Sequence, residues 1–327
     1  MDVPTRELYE TMSVRALERI PRAVGKFRAA HSSSELFTAI CRWAVAYYST
    51  EEHSKHAFLA CHSAHRLRES LGERFDDLLV ECALYAADSR LPWSEPPVME
   101  PPSIERDQPF DLGEIRDAVA AEDRPRGERW LARAIYEPDF APRFLTVAAD
   151  DFGDLGHNLI VATAAWELAE VFPEEGRFPL LRAATWEWMA HREGTYVEKE
   201  HALDTETLFD RWLDVLVCDG GSPIAFHALA LLDAAIRASA IANDRSILLR
   251  VRDFLSNTLM TAPARALQPG DGREESPPIY RLSLDYGEYL KACAIRRDLA
   301  PLFPTMEIDS LQRAARANLE QAPVGGA

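Results

Sequence analysis

No stretch of about 18 consecutive apolar residues occurs in the 327 positions, so no segment has the pattern of a membrane-spanning helix. Cysteine is sparse. The five residues, at 41, 61, 82, 218 and 293, include no CxxC spacing and offer neither a disulfide framework nor a zinc ribbon. Positive charge is in deficit: 36 Lys and Arg stand against 53 Asp and Glu, for a formal net charge of −17. A surface of that sign suits neither a phosphate backbone nor anionic lipid, so no nucleic-acid or membrane partner is expected. Lysine itself is reduced to Lys26, Lys55, Lys199 and Lys291. GxGxxG and GxxxxGK phosphate loops, a GxSxG elbow and HExxH are all missing, as are the duplicated ExxH pairs of a four-helix di-iron bundle. The opening MDVPTRELYE has neither the basic start nor the apolar run of a secretory signal. With the unpaired cysteines, this gives the expectation of a cytoplasmic protein with reduced thiols.

What the chain does have is helix. Apolar residues recur at helical spacing in SELFTAICRWAVAYY, FDDLLVECALYAA, PLLRAATWEWMAHR, LFDRWLDVLV and RSILLRVRDFLSNTLM, and alternating strand patterns are scarce. Alanine, leucine and arginine, all strong helix formers, are abundant. The expected fold is all-α: a single large domain over 1–319, with roughly a dozen helices at the usual helix length, and a disordered tail over 320–327. Two segments break the pattern. LPWSEPPVMEPPSIERDQP (91–109) carries six prolines, and APARALQPGDGREESPP (262–278) is a second long connection. Loops of this length are surface connections or covers over a site, which makes both candidate lids.

One arrangement occurs three times. HAFLACHSAHRL from His56, HNLIVATAAWEL from His157 and HALALLDAAIRA from His227 align on their histidines, each after an apolar helix and a short polar hinge. The hinges are STEEHSK, DDFGDLG and DGGSPIAF. Such self-similarity suggests irregular helix–hinge–helix repeats around a central, histidine-lined site. At about 100° per residue, positions 0, +3, +7 and +11 share one stripe. The stripes are His56, Leu59, Ser63 and Leu67; His157, Ile160, Ala164 and Leu168; and His227, Ala230, Ala234 and Ala238. Each histidine is therefore expected to face inward in the first turn of its helix, where the partial positive charge disfavours imidazolium. An unprotonated ring nitrogen is what a metal ion needs. Singly, each would read as a buried side chain tied to a backbone carbonyl. Three at equivalent places point to a shared polar or metal site.

Further residues are candidates for its surroundings. His62 and His65 lie off the His56 stripe, His62 within reach from the helix side and His65 toward another layer; His53 sits in the hinge. Asp150, Asp151 and Asp154 border the second hinge, as partners of imidazole N–H groups or as helix caps, with capping the expected role of Asp154. Lys291, in the apolar stretch YGEYLKACAIRR, either snorkels or contributes to the site as a carboxylated ligand. Phe58 and Trp166, with Trp186 and Trp188, are aromatic residues near the motifs that would line an apolar pocket or belong to the core.

KHAFLACHSAH, AADDFGDLGHNLI and SPIAFHALALLDAA together resemble the questin oxidase-like proteins, and related bacterial helical proteins of which some are joined to Rieske iron–sulfur domains. The likeness runs over roughly residues 30 to 260. It implies an all-α fold, an oxygen-using enzyme acting on polycyclic aromatic polyketides, and a histidine-rich Fe(II) centre with His56, His157 and His227 as ligands and His62 beside them. No Rieske cysteine–histidine motif occurs in the chain, so an electron donor would be separate or absent. The expectation is a non-heme metal-dependent oxygenase or oxidase whose partners are O2 and an aromatic small molecule. Two rivals stand beside it: a non-catalytic helical-repeat scaffold with structural histidines, and a metal-free enzyme that uses them as acid–base groups.

Overall fold

A computed structural model of the chain describes residues 1–50, 52–71, 75–89, 100–103, 111–172, 174–192 and 223–261. Among the described residues there are twelve α-helices and no strand, as the recurrent helical spacing predicts. In order they are α1 (Val3–Ser13), α2 (Ile20–Arg28), α3 (Ser33–Ala46), α4 (Glu52–Leu71), α5 (Phe75–Asp88) and α6 (Leu112–Ala120). There follow α7 (Arg124–Ala134), α8 (Phe140–Ala148), α9 (Gly153–Val171), α10 (Glu174–Ala190), α11 (Pro223–Ala242) and α12 (Arg245–Thr261). No described helix is long and apolar enough to cross a membrane. The second candidate lid and the C-terminal tail lie outside the described residues, as does the first lid except for residues 100–103.

Local chemistry sets the helix ends. Asp2, Asp111 and Asp123 accept backbone N–H bonds from Thr5, Gly113 and Arg126 at the starts of α1, α6 and α7, satisfying donors that a first turn leaves open. Pro4 and Pro125 stand in the first turns of α1 and α7, where the missing N–H costs nothing. Ser32 and Glu35 close a reciprocal capping box ahead of α3. Between α11 and α12 the chain turns through Asn243 at φ +49°, the left-handed conformation that asparagine tolerates.

The described residues group into two compact units. One takes Met1–Phe140 and Ala164–Ala190. Its interior holds Leu8, Met12, Ile20, Leu36, Ile40, Phe58, Leu79, Ile115, Trp130 and Phe140, all sealed from solvent. Gly127 on α7 meets α10 at contact distance: a Cβ there would fall 2.3 Å from Met189 Cε. The other unit takes Ala141–Thr163 and the described part of His191–Pro278. Leu159, Val161, Ala162, Leu231, Ala235, Ala238, Ile247 and Val251 form its core. Phe152 and Phe254 pack tilted with ring centroids 5.0 Å apart, and Arg250 on α12 reaches Asp150 and the Ala149 carbonyl ahead of α9.

Candidate functional site

His56, His157 and His227 are each the fifth residue of a helix: α4 begins at Glu52, α9 at Gly153 and α11 at Pro223, four residues earlier in every case. The shared place supports the repeat. It also corrects the expectation of a first-turn histidine, because the helices begin inside the stretches read as hinges. In α11 the reason is Pro223, which suits a first helical position. In α9 it is Asp151, whose Oδ1 accepts the Gly153 N–H at 2.8 Å. The polar, glycine-broken character of that hinge survives inside the helix as a left-handed residue, Gly156, at φ +92°.

On α9 the expected stripe is buried throughout: His157 is 2% exposed, and Ile160, Ala164 and Leu168 are sealed with it. On α11, Ala230, Ala234 and Ala238 are buried, while the side chain of His227 lies outside the description. On α4 the expectation fails by one residue. His56, Leu59 and Ser63 are half-buried, and the buried face is Lys55, Phe58 and His62, joined by Cys61. A one-residue offset is a rotation of about 100°. Ala57, Ala60 and Ala64 are buried as well, so burial spreads around α4 and spacing counted from His56 does not fix its rotation.

This buried face of α4 carries charge. Lys55 and His62 are seven residues apart, hence on one side of the helix, and each meets a carboxylate. Lys55 Nζ, 4% exposed, lies 3.1 Å from Glu187 Oε1 on α10, and Glu187 is fully buried. The Tyr48 hydroxyl donates to Glu187 Oε2 at 2.8 Å, and Tyr48 packs edge-on against Phe58 with centroids 5.9 Å apart. About two turns along, His62 Nε2 stands 2.6 Å from Glu167 Oε2 on α9. Tyr48, Glu167 and Glu187 escape sequence reasoning because their partners are 139, 105 and 132 positions away along the chain. A weak signal existed for Glu187: a lone acid between two tryptophans in TWEWM, on a helix otherwise apolar at that point.

The remaining candidates disperse. His65 stacks on Phe37 at 5.7 Å. Phe58 is core, and Trp166 tilts against Phe140 at 6.0 Å. Asp151 is a cap at the α9 hinge. Trp188 is buried, whereas Trp186 donates its Nε1–H to Glu128 and carries the guanidinium groups of Arg124 and Arg182 over its ring. Burial pulls the Arg182 pKa down, with Glu128 opposing. Lys291 lies outside the described residues, and so do the side chains of His53 and Asp154.

Three cysteines that are scattered in sequence meet where α3, α4 and α5 pack. The Cys61 thiol hydrogen-bonds those of Cys41 and Cys82, and Cys82 Sγ donates to the Ala60 carbonyl at 3.7 Å. The bond to Cys41 raises the Cys61 pKa well above the thiol range, and burial adds to it. The bond to Cys61, then burial, does the same for Cys82. Such thiols behave as small apolar side chains.

Among the described residues, no group of three or more His, Cys, Asp or Glu side chains is assembled to hold a metal ion. The described donors therefore do not make a metal centre by themselves, although His62 and Glu167 are paired. No family model, curated protein or solved structure matches the chain.

Proposed function

We propose that the chain is an oxidoreductase of the questin oxidase-like kind, which oxidises an aromatic, polyketide-like small molecule with O2 at a non-heme metal, Fe(II). The observation that carries this reading is the common placement of His56, His157 and His227 as the fifth residues of three helices, with His157 buried in an apolar stripe. Bound iron would supply the activation of O2. The chain would supply imidazole donors, His157 and His227 foremost.

A second reading is favoured by the pairing on α4. Both buried bases there already face carboxylates, His62 with Glu167 and Lys55 with Glu187, as they would in a helical scaffold whose histidines are structural. Elemental analysis of tag-free protein, loaded anaerobically with Fe(II), separates the two. Stoichiometric iron that disappears in His157→Ala, with helical content kept, supports the enzyme. No retained metal supports the scaffold.

A further inference from the structure

Three residues at the head of α9, Gly153, Gly156 and Asn158, meet other segments of their unit closely. Gly156 has φ +92°, and a Cβ there would lie 2.6 Å from Cδ2 and 2.7 Å from Cδ1 of Leu231 on α11, a side chain that is itself sealed. Asn158, also buried, spans the gap on the other side. Its amide nitrogen donates to the Asp151 carbonyl at 3.1 Å and to the His191 carbonyl at 3.2 Å. Gly153 closes on the same carbonyl, since a Cβ there would stand 2.1 Å from His191 O. Between Gly156 and Asn158 stands His157.

Close packing of two helices asks only for small residues at the contact. Here the contact also demands a positive φ, a backbone conformation that L side chains rarely adopt. It further uses a side-chain amide whose two donors join the hinge to the chain following α10. Those constraints fall on the neighbours of one imidazole, on both sides of it.

We propose that Gly156, Asn158 and Leu231 are positioning residues that latch His157 against α11, one helical turn from the backbone position of His227. This latch rests on the reading of His157 as a functional imidazole, and it deepens that reading by naming what sets the ring's place. Loosening the latch displaces the ring while the rest of the fold stays intact. Three variants perturb it differently. Asn158→Asp keeps the shape and removes both N–H donors. Gly156→Ala pushes a methyl into Leu231. The double variant Gly156→Ala/Leu231→Ala returns the room.

The test is hydrogen–deuterium exchange at the imidazole C2 position, followed by mass spectrometry of peptides from the full chain, below each variant's melting point. His62, in the other unit, is the internal reference. The expected result is slow exchange at His157 in the wild type and exchange faster by about tenfold or more in Asn158→Asp and Gly156→Ala. The double variant should recover part of the protection, and His62 should stay unchanged throughout. Unchanged His157 exchange in the folded single variants overturns the latch, and so does an equal rise at His62, which reports general loosening. Should Gly156→Ala not fold, Asn158→Asp decides alone. Iron content is measured separately on the wild type. A protein without iron removes the functional proposal, whereas the latch stands or falls on the exchange.

Discussion

Lys55→Met is the sharpest perturbation of the α4 charges. In the native protein the fully buried Glu187 carboxylate faces the Lys55 ammonium at 3.1 Å and the Tyr48 hydroxyl at 2.8 Å. Methionine matches the volume of the lysine stem but removes the cation, leaving a carboxylate in the interior without its counter-charge. Breaking a buried pair from one side costs about 3–5 kcal/mol. Removing both charges is a different matter: the desolvation penalty of each ion disappears with their attraction. Lys55→Met/Glu187→Leu should therefore fall within about 1 kcal/mol of the wild type, or exceed it. Tyr48→Phe, which deletes one hydrogen bond to a charged acceptor, should cost about 1.5–3 kcal/mol. Urea unfolding followed by far-ultraviolet circular dichroism and tryptophan fluorescence measures all three, and adding Glu187→Leu closes the cycle that yields the coupling energy. A cost below about 1 kcal/mol for Lys55→Met would place the ammonium in solvent. A double variant no better than Lys55→Met would show that shape, and not charge, holds the α4–α10 contact. Either outcome refutes the reasoning.

Other expectations follow from single contacts. Cys41, Cys61 and Cys82 should resist iodoacetamide in the folded protein and react fully in denaturant, because all three are buried, and the pKa of Cys61 and of Cys82 is raised besides; peptide mapping checks this. The Asp2 carboxyl is held below its usual pKa of 3.8 by its bonds from Thr5, and that of Glu35 below 4.5 by its bonds from Ser32. A depressed carboxylate adds stability above its unfolded pKa and loses it as pH falls through the folded one. Asp2→Asn/Glu35→Gln should accordingly flatten the loss of melting temperature below about pH 4, and an unaltered acid limb would contradict those bonds. Asp123→Ala removes the cap of α7 and should cost about 1 kcal/mol, read from the same urea titration.

The helices were legible because burial on one face imposes a 3.6-residue period, and that period survives without knowledge of any partner. Hence α3, α5, α10 and α12 stand where FTAICRWAV, LLVECALYAA, LLRAATWEWM and ILLRVRDFL place them. The rotation of α4 was not legible. Ala57, Ala60 and Ala64 bury a second face of α4 beside that of Lys55 and His62, so local spacing does not single out the face that the long-range acids Glu167 and Glu187 select. Ion pairs joining positions more than a hundred residues apart leave no mark in local spacing. The α9 hinge lay between these extremes. Its glycines were visible, but that Gly156 would meet Leu231 depends on α11, and the amide of Asn158 resembles any helical asparagine until the His191 carbonyl is placed beside it.

The equal distance from helix start to histidine in α4, α9 and α11 makes the connecting segments and the helix heads unequal under insertion. A residue added ahead of Gly153 lengthens a connection and leaves the imidazole at its own azimuth. The same residue added between Gly153 and His157 swings the ring by about 100° around the helix axis, away from the interior and toward whatever flanks it. Length can therefore drift in the connections, whereas the first five positions of each helix count as a fixed ruler.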